Sequence, residues 1–317
     1  MRNIAFIGVG GVGGFFGGKM SQLLNDNKID INIYFIARGK HLEKINSNGL
    51  ILNTKDEGTF ICNPTLATDN FDLLPTLDVC YICVKQYDLE NVLKNLVTKI
   101  NDNTIIIPLL NGIDIYDRIR KIITKGYIFP ACVYVGTHIK QPGVIEQSGG
   151  QCTIIFGQDP NKHCTKVTSL CQLMDKAKIK YNYTEEYMKE IWSKYIFICA
   201  YGLVTASENK TLGEIIENHD LSEKVKKIMN EIISIGKCEN INLPENILDI
   251  SFNKAYNFPY NTKTSFQRDF EIPTKLDERA LFGESLIKLS EKHNICIPNI
   301  KMTYERINTL MNKSFLV

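Results

Sequence analysis

The chain lacks the features that would tie it to a membrane or to a polyanion. No run in its 317 residues approaches the ~18–20 apolar residues of a membrane span. It has no excess of one charge: 37 basic and 35 acidic side chains leave a formal net charge of +2. That balance gives no electrostatic footprint for nucleic acid or an anionic surface. A signal peptide is not expected either, because the uncharged stretch 3–18 after Arg2 is glycine-rich and no small-residue cleavage site follows. Histidine is scarce, with residues 41, 138, 163, 219 and 293 scattered and none in HxxxH spacing, so no metal site is expected. The ten cysteines form no regular framework, which reads as reduced thiols and a cytoplasmic location. The close pair Cys80 and Cys83 lies in the apolar run Val79–Val84. Residues three apart in a strand face opposite ways, so this pair is expected neither to chelate nor to cross-link. No repeat or low-complexity tract is present. What is left is a small-molecule enzyme of two domains at ~100–200 residues each.

What is present is alternation. Apolar strand-like runs at Ile4–Ile7, Ile31–Ala37, Asp78–Val84 and Thr104–Leu110 are separated by helical or amphipathic stretches, among them Leu89–Ile100 and Ile115–Ile123. Shorter strands are expected at Leu50–Leu52 and Thr59–Cys62. Strands alternating with helices predict a mostly parallel sheet with helical crossovers. After Pro130, short β runs at Val133–His138, Val144–Glu146 and Thr153–Gly157, broken by Pro142-Gly143 and Ser148-Gly149-Gly150, predict an antiparallel extension. A helix over 163–178 and a strand over 179–183 close this half. From Glu185 the pattern is almost wholly helical: Met188–Ser207, Leu221–Cys238, Leu276–His293 and Pro298–Met311. The expected fold is therefore an α/β Rossmann domain over 1–184 followed by an all-α domain over 185–317, the second carrying substrate and catalysis.

The first strand runs into Gly8-Val9-Gly10-Gly11-Val12-Gly13 and then a helix. A GxGxxG pattern alone is a poor guide, but the context of strand, turn and helix at the head of an alternating series is the one the motif requires. Gly8 suits the tight turn, Gly10 a close approach of backbone to pyrophosphate, and Gly13 close packing of helix on strand. The end of the second strand selects the cofactor. Acid there holds the 2′-hydroxyl of NAD, whereas arginine meets the 2′-phosphate of NADP. This chain has Arg38, with Lys40 nearby and no acid, so NADPH is expected; a solvated surface arginine is the alternative.

Taken together, these residues resemble the ketopantoate reductase (2-dehydropantoate 2-reductase) family. The resemblance includes Arg38, Val84-Lys85, Asn111-Gly112, Pro142-Gly143, Trp192-x-Lys194, the segment Thr264–Asp269, the acidic pair Asp277-Glu278, and Ile295-x-x-Pro298 before the last helix. It spans most of the chain. It implies a Rossmann domain paired with a helical domain, with a 2-oxo acid bound in the cleft between. The reaction implied is NADPH-dependent reduction of 2-dehydropantoate to (R)-pantoate for pantothenate and coenzyme A synthesis. The sequence is compatible with a homodimer.

The resemblance also distributes roles. Lys194 becomes the general acid, able to stabilise the developing alkoxide and then protonate it. Ser265 binds the substrate carboxylate, although serine would equally serve as a helix N-cap. The acid that holds the substrate hydroxyl falls at Asp277 or Glu278, depending on one gap. Spacing back from Phe282 favours Glu278. Lys85 and Asn111 match positions at the nicotinamide end, though Asn111-Gly112 also suits a plain turn. One departure stands out. The best-known members carry asparagines four and eight residues after the lysine, and here those positions are Ile198 and Gly202. The helix face is then expected to be apolar and roomier, with Tyr201 and Thr205 as polar candidates. This leaves a second reading, reduction of another branched or larger 2-oxo acid. A third is a non-catalytic NADP(H)-binding regulator, which would have no need of a proton donor.

Overall fold

The apolar runs of the first half form strands because their neighbours cover both faces. The computed structural model describes residues 1–25, 29–272 and 276–314. Strands β1 (Asn3–Ile7), β2 (Asn32–Ile36), β5 (Leu66–Thr68), β6 (Val79–Ile82), β7 (Ile105–Pro108) and β8 (Tyr127–Ile128) make one sheet in the order β5-β2-β1-β6-β7-β8. Every pairing in it is parallel. Side chains alternate across it. Ile4, Phe6, Val79, Tyr81, Ile105 and Ile107 enter one core, while Ala5, Ile7, Cys80, Ile82 and Ile106 enter another on the opposite face. Burial on both faces is why these strands read as unbroken apolar runs. Each fully buried Ile or Phe stabilises by ~1.5–3 kcal/mol. Cys80 and Cys83 do part, Cys80 packing with the second core and Cys83 against the first, and burial pushes both thiols up.

The strands expected after Pro130 belong to a second sheet. β9 (Ala131–Gln141) and β10 (Val144–Phe156) pair antiparallel, and β10 also pairs in parallel with β3 (Leu50–Thr54) and β11 (Lys180–Tyr183). β4 (Gly58–Cys62) completes the sheet against β3. Ser148-Gly149-Gly150 does not end a strand: β10 passes through it with register shifts on either side of Gly149, as a bulge allows. Helix α1 (Gly11–Ser21) lies between the two sheets. A Cβ on Gly17 would meet the rings of Phe35 and Phe6 at 2.9–3.0 Å, and one on Gly14 would meet Ile145 at 2.6 Å. The glycine run thus continues past the motif because this helix has sheet on both sides. Helix α2 (Gly39–Asn48) follows β2, and α5 (Val167–Lys176) precedes β11. On the far face of the parallel sheet lie α3 (Leu89–Leu96) and α4 (Ile115–Arg120), through Leu89, Leu93, Ile115 and Ile119.

The chain divides into two compact units: Met1–Leu110 with Asp114–Tyr187, and Asn111–Ile113 with Met188–Val317. The second is helical. It contains α6 (Tyr187–Glu208) from Met188 on, α7 (Leu212–Glu217), α8 (His219–Cys238), α9 (Ile247–Asn253), α10 (Ser265–Phe270), α11 (Arg279–Phe282), α12 (Glu284–Lys292) and α13 (Pro298–Ser314). The single helix expected over 276–293 is two. It starts late because the Asp277 carboxylate accepts from the Arg279 amide at 2.9 Å. It breaks at Gly283, where a Cβ would meet the Tyr304 ring at 2.3 Å. The core of this unit is built on Trp192, Tyr195, Ile196, Cys199 and Leu203 of α6. Glu231, inside α8, accepts from the amides of Asn299 and Ile300 at 2.9 Å each, satisfying the first turn of α13. Among the described residues no helix is long and apolar enough to cross a membrane.

Candidate active site

In the parallel sheet, β1 is where the order of strands reverses, and ligands of such sheets bind at the carboxyl ends of the strands there. The glycine turn stands at that end. Gly8 adopts φ +90° and its amide donates to Ile36 at 3.0 Å. A Cβ on Gly8 would strike Val84 at 2.7 Å, and one on Gly13 would lie 2.2 Å from the Gly8 carbonyl. Gly10 is different: a Cβ there would meet nothing within 4 Å. Gly8 and Gly13, and Gly11 against the Thr137 carbonyl at 2.7 Å, are therefore required by packing, whereas Gly10 faces open space. Gly10 is also the N-cap residue of α1, which has no side-chain cap and no acid in its first turn. Uncapped amides at a helix start attract an anion. Val9, Gly11 and Val12 complete the turn, with Gly11 seated against the Thr137 carbonyl. The residues present therefore fit a pyrophosphate-bearing cofactor.

Around this turn the fold collects residues distant in sequence. Arg38 follows β2 and precedes α2, its side chain 73% exposed. Its Nη2 donates to Asp88 Oδ2 at 2.7 Å. Lys85 lies half-buried in the loop after β6, next to the Val84 that fills the space beside Gly8. His41, on α2, accepts the Gly143 amide at Nδ1, 3.0 Å away, which places its proton on Nε2. That atom is buried and has no hydrogen-bond partner among the described residues. Burial pushes the His41 imidazole below its usual range, with the Val9 carbonyl opposing. Nothing local in the sequence marks His41 or Asp88. Their partners lie 102 and 50 residues away, and no local pattern marks such pairs.

The second unit assembles its polar groups on α6. Lys194 is half-buried, and its Nζ donates to Asn111 Oδ1 at 2.6 Å. Asn111-Gly112 is thus more than a turn dipeptide, though Gly112 does take φ +134°. Thr205, further along α6, shares a 2.8 Å hydrogen bond with Thr264. Thr264 is the N-cap of α10, accepting from the Gln267 amide. That displaces Ser265 from the capping role considered for it: Ser265 is the first helical residue and is exposed. Tyr195 and Cys199 of α6 donate to the carbonyls of Leu281 and Phe282, fixing α11 on the same helix. Glu278 is the residue at the head of α11 and is buried to 5% exposure. Asp277 is already committed, its carboxylate gripped by Arg279 at 2.9 and 2.6 Å. α6 therefore bears Lys194 and anchors the elements that present Ser265 and Glu278.

The face beyond Lys194 differs from the expectation of room. Space next to Gly202 is taken by Phe266 and Phe282, which a Cβ would meet at 3.7 and 3.9 Å. The two rings pack at 5.0 Å between centroids. Tyr201 is no polar candidate either, since its buried hydroxyl donates to the Phe252 carbonyl at 3.0 Å. The surface is apolar as expected, but filled by aromatic rings.

A parallel sheet wound on both faces, a glycine turn at its switch point and a following helical unit are the architecture of a Rossmann-type oxidoreductase. The chain belongs to the ketopantoate reductase family: residues 4–161 match the model described as ketopantoate reductase PanE/ApbA, and residues 186–311 match its C-terminal counterpart. An uncharacterized oxidoreductase, YkpB, of Bacillus subtilis (strain 168) is 24% identical over 301 residues, 95% of this chain and 96% of its own. The 2-dehydropantoate 2-reductase of Streptococcus pyogenes serotype M6 is 25% identical over 309 residues, 95% of each. Among solved structures, a D-mandelate dehydrogenase with NADH and anilino(oxo)acetate superposes with a TM-score of 0.81 at 18% identity, covering 98% of this chain and 99% of that one.

Proposed function

We propose that the protein is an NADPH-dependent reductase of 2-oxo acids, with 2-dehydropantoate as substrate and (R)-pantoate as product. The observation that carries the reading is the Lys194 ammonium held at 2.6 Å by the Asn111 amide oxygen. That bond fixes where the ammonium stands, and an amide oxygen accepts from it without taking its proton. Gly8–Gly13 and the start of α1 would hold the pyrophosphate, Arg38 the 2′-phosphate, and Lys85 and Asn111 would lie towards the nicotinamide. The reduced nicotinamide, when bound, supplies the hydride that adds to the carbonyl carbon. Lys194 stabilises the oxygen as charge develops there and passes it a proton, taking another from solvent afterwards. Ser265 donates its hydroxyl to the substrate carboxylate. Glu278 accepts from the substrate hydroxyl, and Asp277, held by Arg279, keeps the head of α11 in place.

The aromatic filling around Gly202 favours a second substrate reading, a more apolar 2-oxo acid. The D-mandelate dehydrogenase that shares the fold acts on an aryl hydroxy acid. A regulator without turnover has no use for the Lys194, Ser265 and Glu278 set. Oxidation of NADPH with 2-dehydropantoate, a branched 2-oxo acid and phenylglyoxylate separates the three. Fastest turnover on 2-dehydropantoate is the expected result. Turnover of phenylglyoxylate alone would replace the substrate, and no turnover with bound NADPH would favour the regulator.

A further inference from the structure

Arg38 is already engaged. Its guanidinium donates to Asp88 at 2.7 Å, and the Asp88 side chain is 25% exposed. Asp88 is also the residue before α3, where an aspartate ordinarily accepts from its own helix's amides. It makes no such bond and turns to Arg38 instead. The Asp88 amide is fixed in turn by the Lys85 carbonyl at 3.0 Å. Acid and arginine, the two side chains that separate NAD sites from NADP sites, therefore meet here at one position.

We infer that Asp88 is a specificity determinant that opposes Arg38, so that the protein accepts NADH as well as NADPH. This deepens the cofactor reading above and rests on it. A 2′-phosphate drawn to Arg38 arrives next to the Asp88 carboxylate, a like charge that disfavours it. It must also displace that carboxylate from part of the guanidinium fork. A ribose 2′-hydroxyl meets no such repulsion and finds in Asp88 an acceptor. The two effects act in opposite directions on the two cofactors, so removing the charge should change their ratio more than either affinity suggests.

Dissociation constants for NADPH and NADH, read from cofactor fluorescence on the full-length protein, test this in wild type, Asp88→Asn, Asp88→Glu and Arg38→Ala. Wild type should bind both. Asp88→Asn should tighten NADPH roughly five- to tenfold, the scale of one like charge removed near solvent, and should not tighten NADH. Asp88→Glu, which keeps the charge, should keep a ratio close to that of wild type. Added salt should shrink the difference between wild type and Asp88→Asn. An Asp88→Asn protein whose two affinities are unchanged, or move together, would overturn the role of Asp88 alone, provided Arg38→Ala still weakens NADPH selectively. Equal weakening of both cofactors in Arg38→Ala would instead overturn the assignment of Arg38 to the 2′-phosphate.

Discussion

Lys194 and Asn111 are 83 residues apart in sequence, and the fold brings the ammonium of one to 2.6 Å from the amide oxygen of the other. The pair links the loop after β7 to the helix that organises the second unit. In the proposed mechanism Asn111 acts as a positioning residue, holding the amine through a neutral oxygen. Asn111→Ala should leave Lys194 chemically intact but without this contact. A hydrogen bond to a charged group is worth ~1.5–3 kcal/mol, so kcat should fall roughly ten- to a hundredfold. Asn111→Asp is the sharper variant, because an ion pair would hold the proton more tightly and extend activity to higher pH. An unchanged pH profile in Asn111→Asp would show that the contact does not bear on proton transfer.

The glycine turn offers a test that separates packing from binding. Gly13→Ala places a methyl 2.2 Å from the Gly8 carbonyl, so the strand and helix must part and the thermal midpoint should drop. Gly10→Ala meets nothing within 4 Å. It should fold with a near-normal midpoint and yet bind NADPH at least about tenfold more weakly, since backbone approach is what Gly10 permits. If Gly10→Ala binds NADPH normally, the open space there is not the pyrophosphate cradle.

The two neighbouring acids should behave differently. Glu278→Ala and Ser265→Ala are expected to lower kcat/KM for the 2-oxo acid while NADPH binding stays near normal. Asp277→Ala frees Arg279 and should act chiefly on stability, because the Asp277 carboxylate is buried in that ion pair. A breached buried pair costs several kcal/mol when one partner is removed. Substrate kinetics more damaged by Asp277→Ala than by Glu278→Ala, in folded protein, would exchange their roles.

His41 gives a pH-dependent signature in the cofactor half. Burial holds its imidazole below the usual value of 6.5 in the folded chain. The unfolded chain therefore takes up the proton first as pH falls, and the contribution of neutral His41 is lost as pH drops through the folded value. Protonation also removes the acceptor for the Gly143 amide. The thermal midpoint should decline on acidification from about pH 6.5, and His41→Asn, which retains an acceptor but does not titrate, should flatten that limb. A slope unchanged by His41→Asn would place its origin elsewhere.

Much of this was visible in the residues themselves, for physical reasons that also explain the gaps. The strands of the parallel sheet announce themselves because two cores cover them, and the turn at Gly8–Gly13 because Gly8 and Gly13 are sterically required. β5 and β8, three and two residues long, carry too little pattern to be found. β10 reads as broken because Gly149-Gly150 looks like a turn, yet a bulge absorbs it. Ile198 and Gly202 mark an apolar face, but Phe266 and Phe282 reach it only through the tertiary fold. Asp88 on Arg38 and Gly143 on His41 are products of tertiary structure, beyond the reach of any window along the chain.

The most direct test is the reduction of 2-dehydropantoate by NADPH in Lys194→Ala, measured as kcat across pH beside the wild type. A positioned general acid contributes ~10²–10⁴ in rate, and stabilisation of the alkoxide by the same charge adds to it. The variant should fold, bind NADPH normally, and turn over at least about a hundredfold more slowly. The wild-type rate should fall on the alkaline side as the ammonium loses its proton, and that limb should be absent from the variant. A Lys194→Ala protein with near-normal kcat and the same alkaline limb would contradict the assignment and move the search for the proton donor to Lys85.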